Sequence, residues 1–521
     1  MSSIKSKTII EPSENDIEKG EVDFVSSSIS NFEEAYEEGP SLKREFKSRH
    51  VNMISVAGAI GTGLVIGSGS ALLKGGPGSL FIAYLMTGIN LYVVLISLGE
   101  MAAFSSDDKG FSGFSSRYVD KALGFATGWN YFFKYAIVYP TNLTAVGIVI
   151  HYWRPDLNVG IWVAVFLVVI LAINLLHVKY FGEVEFWLSA VKILVLVTLI
   201  ITCIVITSGG TPVHHKIGFH YWRDPGAFAP YLVEGSTGRF LGFWACLVQS
   251  CFAYVGSEVV GIAFGEAPNP EKTIRKSSFQ SLFRIATFYV IGVFVLGLCV
   301  PYDSDILSSN ASKGNAAASP FVVAIKLAQI KVMPDVINAC LLVFIISSAN
   351  SDIYIGSRTL YALAKEGYAP KILMLQTKQG IPWVGCLVTS SFGLLAFMNT
   401  KSSSATIFGY FSSAVTVFGT INWINILLSY ICYHRATIVQ QIPTERIPFR
   451  SWGQPYIAYA SLIFTGLITF FNGYNAFIHG FKYRSFITSY IGIAAYVIMI
   501  LGWKFTFKAK RVTSSTVDFR K

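Results

Sequence analysis

Apolar residues along this chain form long unbroken runs rather than alternating or recurring on one helical face. The runs cover residues 51–72, 79–104, 123–149, 160–178, 186–207, 240–264, 284–302, 335–356, 383–399, 405–433, 455–478 and 485–507. A helix needs roughly 20 apolar residues to cross about 30 Å of hydrocarbon. The pattern therefore predicts an all-α polytopic membrane protein with twelve transmembrane helices. An even number of crossings places both termini on one side. Lys43, Arg44, Lys47 and Arg49 precede the first run, and Lys272, Arg275, Lys276 and Arg284 join the sixth to the seventh. Basic residues concentrate in cytosolic loops, so both termini are expected in the cytosol.

The segments between the runs complete the organisation. Residues 1–42 are polar and acidic (EPSENDIEKGEVDF, NFEEAYEEGP), which predicts a disordered cytosolic tail rather than a cleavable signal peptide. Residues 43–507 form the transmembrane domain and 508–521 a cytosolic C-terminal tail. In this topology the sequon Asn310-Ala-Ser312 falls outside, where it is a glycosylation acceptor. Asn142-Leu-Thr144 matches the same pattern but lies within a run and is expected to be unmodified.

Polarity inside the runs carries the functional information, because a polar group in hydrocarbon needs a partner or a water-filled cavity. The first run contains AGAIGTGLVIGSGSAL, with Gly58, Gly61, Gly63, Gly67 and Gly69. No soluble strand precedes these glycines and no acidic ribose ligand follows, so a dinucleotide fingerprint fails. Two explanations stand: Gly63 and Gly67 let a neighbouring helix approach, or Gly61-Thr62-Gly63 leaves helical geometry and exposes N–H groups to a ligand. The sixth run repeats the theme with Gly256, Ser257 and Glu258 in mid-span. Glycine-interrupted runs one and six occupy corresponding positions in two five-helix halves, which points to an inverted-repeat transporter with its site between the halves. Lys134 in the third run and Lys192 in the fifth are buried-charge candidates, although Lys192 lies near enough to a run end to snorkel. The polar cluster Ser347-Ser348-Ala349-Asn350-Ser351-Asp352 must face protein or water.

Composition agrees with a membrane protein: 53% hydrophobic and 14% charged residues, with a mean hydropathy of +0.52. The net charge of +11 is scattered through short loops, as suits anionic lipid rather than nucleic acid. The seven cysteines fall mostly inside runs without metal-type spacing and read as packing residues. No catalytic triad or metal-ligand pattern is present, and His214-His215 reads as a solvated pair, so neither enzyme activity nor a bound cofactor is expected.

From Leu42 to Phe507 the chain resembles the fungal amino acid permeases of the amino acid-polyamine-organocation superfamily. The matching stretches are LKREFKSRHVNMISVAGAIGTGL, LGEMAAF, RYVDKALGFATGWNY, GEVEFWLSAVKI, GFHYWRDPGAF and NSDIYIGSRTLYALAKEGYAPK. FKYAIVYPTNLTA, AAASPFVVAI and INACLLVFIISSANSD resemble the branch that carries dicarboxylic amino acids. The resemblance implies a LeuT-like fold, a 5+5 inverted repeat plus two further helices, at the plasma membrane. It implies that N–H groups of Gly61, Thr62 and Gly63 bind the substrate carboxylate, aided by a helix dipole. Carbonyls around Phe252, Ala253, Tyr254 and Gly256 would take the substrate ammonium, with Tyr254 or Phe252 as a lid.

Relatives with other specificities carry a glutamate near the position of Asn142 and a neutral residue near Lys134. Lys134 without a neighbouring acid in its own helix suits an anionic substrate, so L-glutamate and L-aspartate are expected. Driving an anion into an inside-negative cell costs about 2.3 kcal/mol per charge per 100 mV, so a coupled cation is needed. Lys192 matches a lysine that replaces sodium in proton-coupled relatives, and Glu258 is the second candidate for proton coupling. A broad neutral or proline permease is the alternative substrate class, and a non-transporting amino acid receptor the alternative function. Lys5, Lys7 and Lys19 in the tail are candidate sites for ubiquitin-ligase machinery.

Overall fold

The computed structural model describes residues 61–104, 110–176, 178–212, 214, 216–260, 278–308, 319–400, 403–443, 447, 449–509 and 511–519. The acidic tail, the basic residues 43–49 and 272–276, and the sequon at Asn310 lie outside the described residues. Among those described there is no strand. The helices are α1 (Gly63–Phe104), α2 (Gly110–Tyr118), α3 (Lys121–Ile150), α4 (Val159–Leu175), α5 (Val178–Thr207), α6 (Gly235–Tyr254) and α7 (Ser278–Cys299). They continue with α8 (Pro320–Leu327), α9 (Met333–Lys365), α10 (Trp383–Thr400), α11 (Ser404–Val439), α12 (Tyr456–Phe470) and α13 (Tyr483–Phe507).

Ten helices among the described residues are long and apolar enough to cross a membrane, where the sequence pattern suggested twelve. The difference has two causes: α1 joins the first two runs in 42 residues, and α4 has only 17. Inside α1 the chain bends at Gly76, whose φ of 77° is open to glycine and costly for other residues. Pro77 follows, with no N–H to lose at the bend. A loop braces the bend, Gly78 N–H donating to Ala227 O (2.8 Å) and Ala229 N–H to Gly75 O (3.0 Å). At 1.5 Å per residue, Gly63 lies roughly 20 Å below this bend, near mid-depth of a bilayer.

Helix α5 shows how the sequence sorts lipid from protein. Trp187, Leu194 and Ile201 are 67, 66 and 54% exposed, whereas Glu185, Ser189, Lys192 and Leu199 are buried. The charged Glu185 and Lys192 both lie on the buried face, while the most exposed positions are large apolar residues. Lys192 therefore points into the bundle and does not snorkel to an interface. At the periphery α13 buries only Ser489 and Gly492 among its own residues.

Close helix approach depends on glycine where α1 meets α6. A Cβ on Gly63 would lie 2.5 Å from Ala253 Cα and 3.1 Å from Phe252 O, so the two backbones touch. Higher up, Gly75 and Gly242 meet in the same way. Gly67 faces the Gln249 side chain instead, which can move. The packing explanation for Gly63 thus holds in detail. Replacing Gly63 by Ala must force α1 from α6, an overpacking that costs about 1–3 kcal/mol. Gly466→Ala in α12, where a Cβ meets nothing within 4 Å, should leave stability unchanged. Melting of the detergent-purified variants, followed by size-exclusion recovery, checks the contrast.

Candidate functional site

The break expected in the sixth run is present. Helix α6 ends at Tyr254, Val255 turns extended (ψ 134°), Gly256 adopts φ 99°, and a 3₁₀ turn resumes at Ser257–Val259. Broken backbone at membrane depth must be satisfied by protein. Val255 N–H donates back to Cys251 O (3.1 Å) and Phe252 O (3.3 Å). Gly256 N–H donates to Glu258 Oε2 at 3.0 Å, so the acid two residues on caps the break.

The first run behaves differently from expectation. Thr62 has helical backbone (φ −59°, ψ −25°) and Gly63–Gly67 is wound as a π-helix, so Thr62 and Gly63 do not leave helical geometry. Gly61 is a bend before the helix. The described part of this run therefore begins as a helix at Thr62 rather than as an opened loop. Thr62 Oγ1 donates to Asn142 Oδ1 (3.0 Å), and Asn142 Nδ2 donates to Asp352 Oδ2 (2.7 Å), tying this N-terminus to α3 and α9. Gly61 faces Ser348 Oγ of α9.

Lys134 has a partner that its sequence neighbourhood did not reveal. Its Nζ lies 2.5 Å from Glu258 Oε1, and both side chains are fully buried. The ammonium also lies 4.5 and 4.0 Å from the ring centres of Tyr131 and Tyr135, one helical turn away or adjacent on α3, an arrangement that stabilises a cation. Trp423 Nε1 donates to Glu258 Oε2 at 3.4 Å. Two residues expected in separate roles, Lys134 in selectivity and Glu258 in proton coupling, form one ion pair.

A second polar group surrounds Lys192. Its Nζ donates to Ser348 Oγ (3.3 Å), and Glu185 and Asp352 act on it electrostatically. Glu185 accepts from Ser347 Oγ and from Asn350 Nδ2 (3.2 Å), and Asn174 of α4 donates to Asn350 Oδ1 (2.8 Å). Sequence reasoning missed Glu185 and did not single out Asp352. The signal for Glu185 was its spacing of about two turns from Lys192, which puts both on one face.

The two candidate lids separate clearly. Tyr254 donates its hydroxyl to Tyr84 O (3.0 Å) and stacks on Tyr289 at 4.3 Å, so it is locked into packing with α1 and α7. Phe252 meets the Phe408 ring edge-on at 5.8 Å. Phe408 lines a cavity of about 200 Å³ with Ser70, Lys74, Gln249, Thr416 and Asn472 among its walls. The cavity is lined by Ile66, Gly67, Gly69, Ser70 and Lys74 of α1, on the Gly76 side of Gly63, and Phe408 in its wall carries the contact to Phe252.

Residues 50–515 match the amino acid permease family. The chain is 46% identical over 488 residues to the dicarboxylic amino acid permease of Saccharomyces cerevisiae, covering 92% of this chain and 80% of that one. It is 38% identical to a proline-specific permease of Emericella nidulans, covering 97% and 94%. It is 39% identical to the lysine-specific permease of Saccharomyces cerevisiae, covering 92% and 78%. The fold resembles that of the Eremococcus coleocola manganese transporter, with a TM-score of 0.57 at 12% identity over 90% of this chain and 97% of that one. The chain belongs to the amino acid permease family and has the LeuT-like transporter fold; these relatives and fold neighbours are transporters, not enzymes.

Removing one member of a buried ion pair strands the other, at about 3–5 kcal/mol. Lys134→Ala and Glu258→Gln should each lower the melting temperature of the purified protein markedly. The double variant should lose less than the sum of the two, as a double-mutant cycle would measure.

Proposed function

We propose that this permease takes up L-glutamate and L-aspartate together with protons across the plasma membrane, with both termini in the cytosol. The observation that carries the proposal is Lys134, a fully buried ammonium beside the broken end of α6. An ammonium has three N–H donors, and Glu258 Oε1 takes one of them. A substrate side-chain carboxylate takes a second, in surroundings where Tyr131 and Tyr135 already favour positive charge. The α-carboxylate binds the N–H groups of Gly61, Thr62 and Gly63 at the start of α1, and the ammonium binds carbonyls between Phe252 and Gly256. Asn142, hydrogen-bonded to Thr62, orients the first of these elements.

The relative named for dicarboxylic amino acids, at 46% identity, supports this substrate class over the proline- and lysine-specific relatives at 38 and 39%. A neutral or proline substrate is the second reading; it leaves Lys134 with no role beyond its pairing with Glu258. With cytosolic termini, the cavity beneath the Gly76 end is the access vestibule from outside, and Phe252 is its floor and lid. Proton coupling draws on the buried charges that include Lys192 and Glu258.

In cells lacking their own permeases, labelled glutamate uptake should be competed by aspartate and should rise as external pH falls. A charge-assisted hydrogen bond contributes about 1.5–3 kcal/mol. Lys134→Ala should therefore reduce glutamate uptake roughly 10- to 100-fold more than uptake of alanine or serine. Equal loss of both would return Lys134 to a purely structural role. Uptake into vesicles that followed a sodium gradient and ignored a pH gradient would refute proton symport.

A further inference from the structure

The buried core where α3, α5, α9 and the broken end of α6 meet holds an odd set of charges. Among the described residues these are the ammonium groups of Lys134 and Lys192 and the carboxylates of Glu185, Glu258 and Asp352, none more than 5% exposed. Glu258 is ion-paired with Lys134 and accepts the Gly256 N–H. Glu185 accepts from Ser347 and Asn350. Lys192 interacts with both Glu185 and Asp352, so three acids share two lysines.

The titratable and charged groups that act on Asp352 come from α3 (Lys134, Tyr135 and Tyr139, with the amide of Asn142) and from α5 (Glu185 and Lys192), and Glu258 is tied to the first of these through its pair with Lys134. The direct hydrogen bond is from Asn142 Nδ2, at 2.7 Å. The same amide accepts from Thr62 Oγ1 at 3.0 Å. One side chain therefore spans from the helix start proposed for the substrate carboxylate to an acid in a core where three carboxylates share two lysines. A like charge brought near a buried carboxylate favours its neutral form, and an uncompensated charge is costly in such surroundings.

We propose that Asp352 takes the coupled proton, and that Asn142 links its protonation to an anionic substrate at Thr62 and Gly63. The proposal deepens the symport reading above and rests on it. The charge balance is simple. Glutamate or aspartate arrives with two carboxylates and one ammonium, adding one negative charge; one proton on Asp352 adds one positive charge. The total charge of the core is unchanged on binding, and no covalent bond is made or broken. A zwitterionic amino acid adds no net charge and leaves Asp352 as it was.

The test uses the purified full chain in lipid nanodiscs in weakly buffered solution at several values between roughly pH 6 and 9. A pH-sensitive dye reads proton uptake on mixing with glutamate, and labelled glutamate reads occupancy in parallel. Wild-type protein should take up about one proton per bound glutamate, by the charge balance above, and much less per bound alanine. Asp352→Asn should bind glutamate more weakly and lose the proton uptake. Asp352→Glu should restore the uptake with a displaced pH midpoint. Asp352→Asn that binds glutamate with undiminished proton uptake would overturn the proposal. If that variant is not recovered folded, an unshifted midpoint in Asp352→Glu overturns it instead. Failure of the underlying reading looks different: wild-type protein that binds glutamate without proton uptake refutes symport, and wild-type protein that does not bind glutamate refutes the substrate.

Discussion

The ion pair between Lys134 and Glu258 holds the rest of the site in place. A helix interrupted at membrane depth exposes N–H and C=O groups that neither water nor lipid can satisfy there. Glu258 caps the interruption by accepting the Gly256 N–H, but in doing so brings a negative charge into the core. Lys134 neutralises that charge, and the tyrosine rings one turn back and beside it on α3 surround the ammonium. Trp423 of α11 adds a donor to the same carboxylate. The break, the pair and the aromatic frame therefore require one another. Together they fix α6 against α3 and α11, and the glycine at position 63 then lets α1 settle against the α6 backbone.

Much of this was legible in the chain. The runs located most of the helices, although the first two join in α1 and the fourth is short, and Gly256 beside Glu258 marked the break, because glycine and a carboxylate in an apolar run have few other uses. The burial of Lys134 followed from its depth. What could not be read was pairing across the sequence. Lys134 and Glu258 are separated by 124 positions, and periodicity carries no information about which distant charge a buried ammonium meets. Nor does a glycine run announce its winding: Thr62 and Gly63 remain helical because the turn that follows widens into a π-helix instead of opening. The different surroundings of the two candidate lids were equally hidden, since the Tyr84 carbonyl that takes the Tyr254 hydroxyl and the Phe408 ring against Phe252 are tertiary neighbours.

Helix α3 connects the two polar centres. Lys134 and Asn142 are separated by roughly 12 Å of helix rise, and the flexible four-carbon stem of the lysine shortens the gap between their polar ends. Lys134 addresses the broken end of α6, and Asn142 addresses the start of α1 and the Asp352 side chain of α9. One rigid helix thus presents an ammonium to the broken end of α6 and a neutral amide to the start of α1 and to α9. An acid at the position of Asn142 would put a second negative charge against Asp352. The neutral amide avoids that penalty while keeping a donor and an acceptor.

The two ends of the bundle differ, and the difference constrains the transport cycle. Near the Gly76 end lies the 200 Å³ cavity. At the other end of α1, Phe104 packs with Tyr433 and with Phe519 of the C-terminal tail, and Tyr118 joins them. The tail is fastened there by Val512 N–H to Val119 O (2.9 Å) and by Gln440 Nε2 to Ser514 O (3.0 Å) and Val517 O (2.9 Å). Any opening of this end has to separate those contacts. Tyr433 stands on α11, the same continuous helix that carries Trp423 to Glu258. A tilt of α11 that frees the aromatic cluster also moves the Trp423 N–H relative to the Glu258 carboxylate. Since that carboxylate caps the α6 break and holds Lys134, a movement that opens this end also disturbs the buried pair and the break.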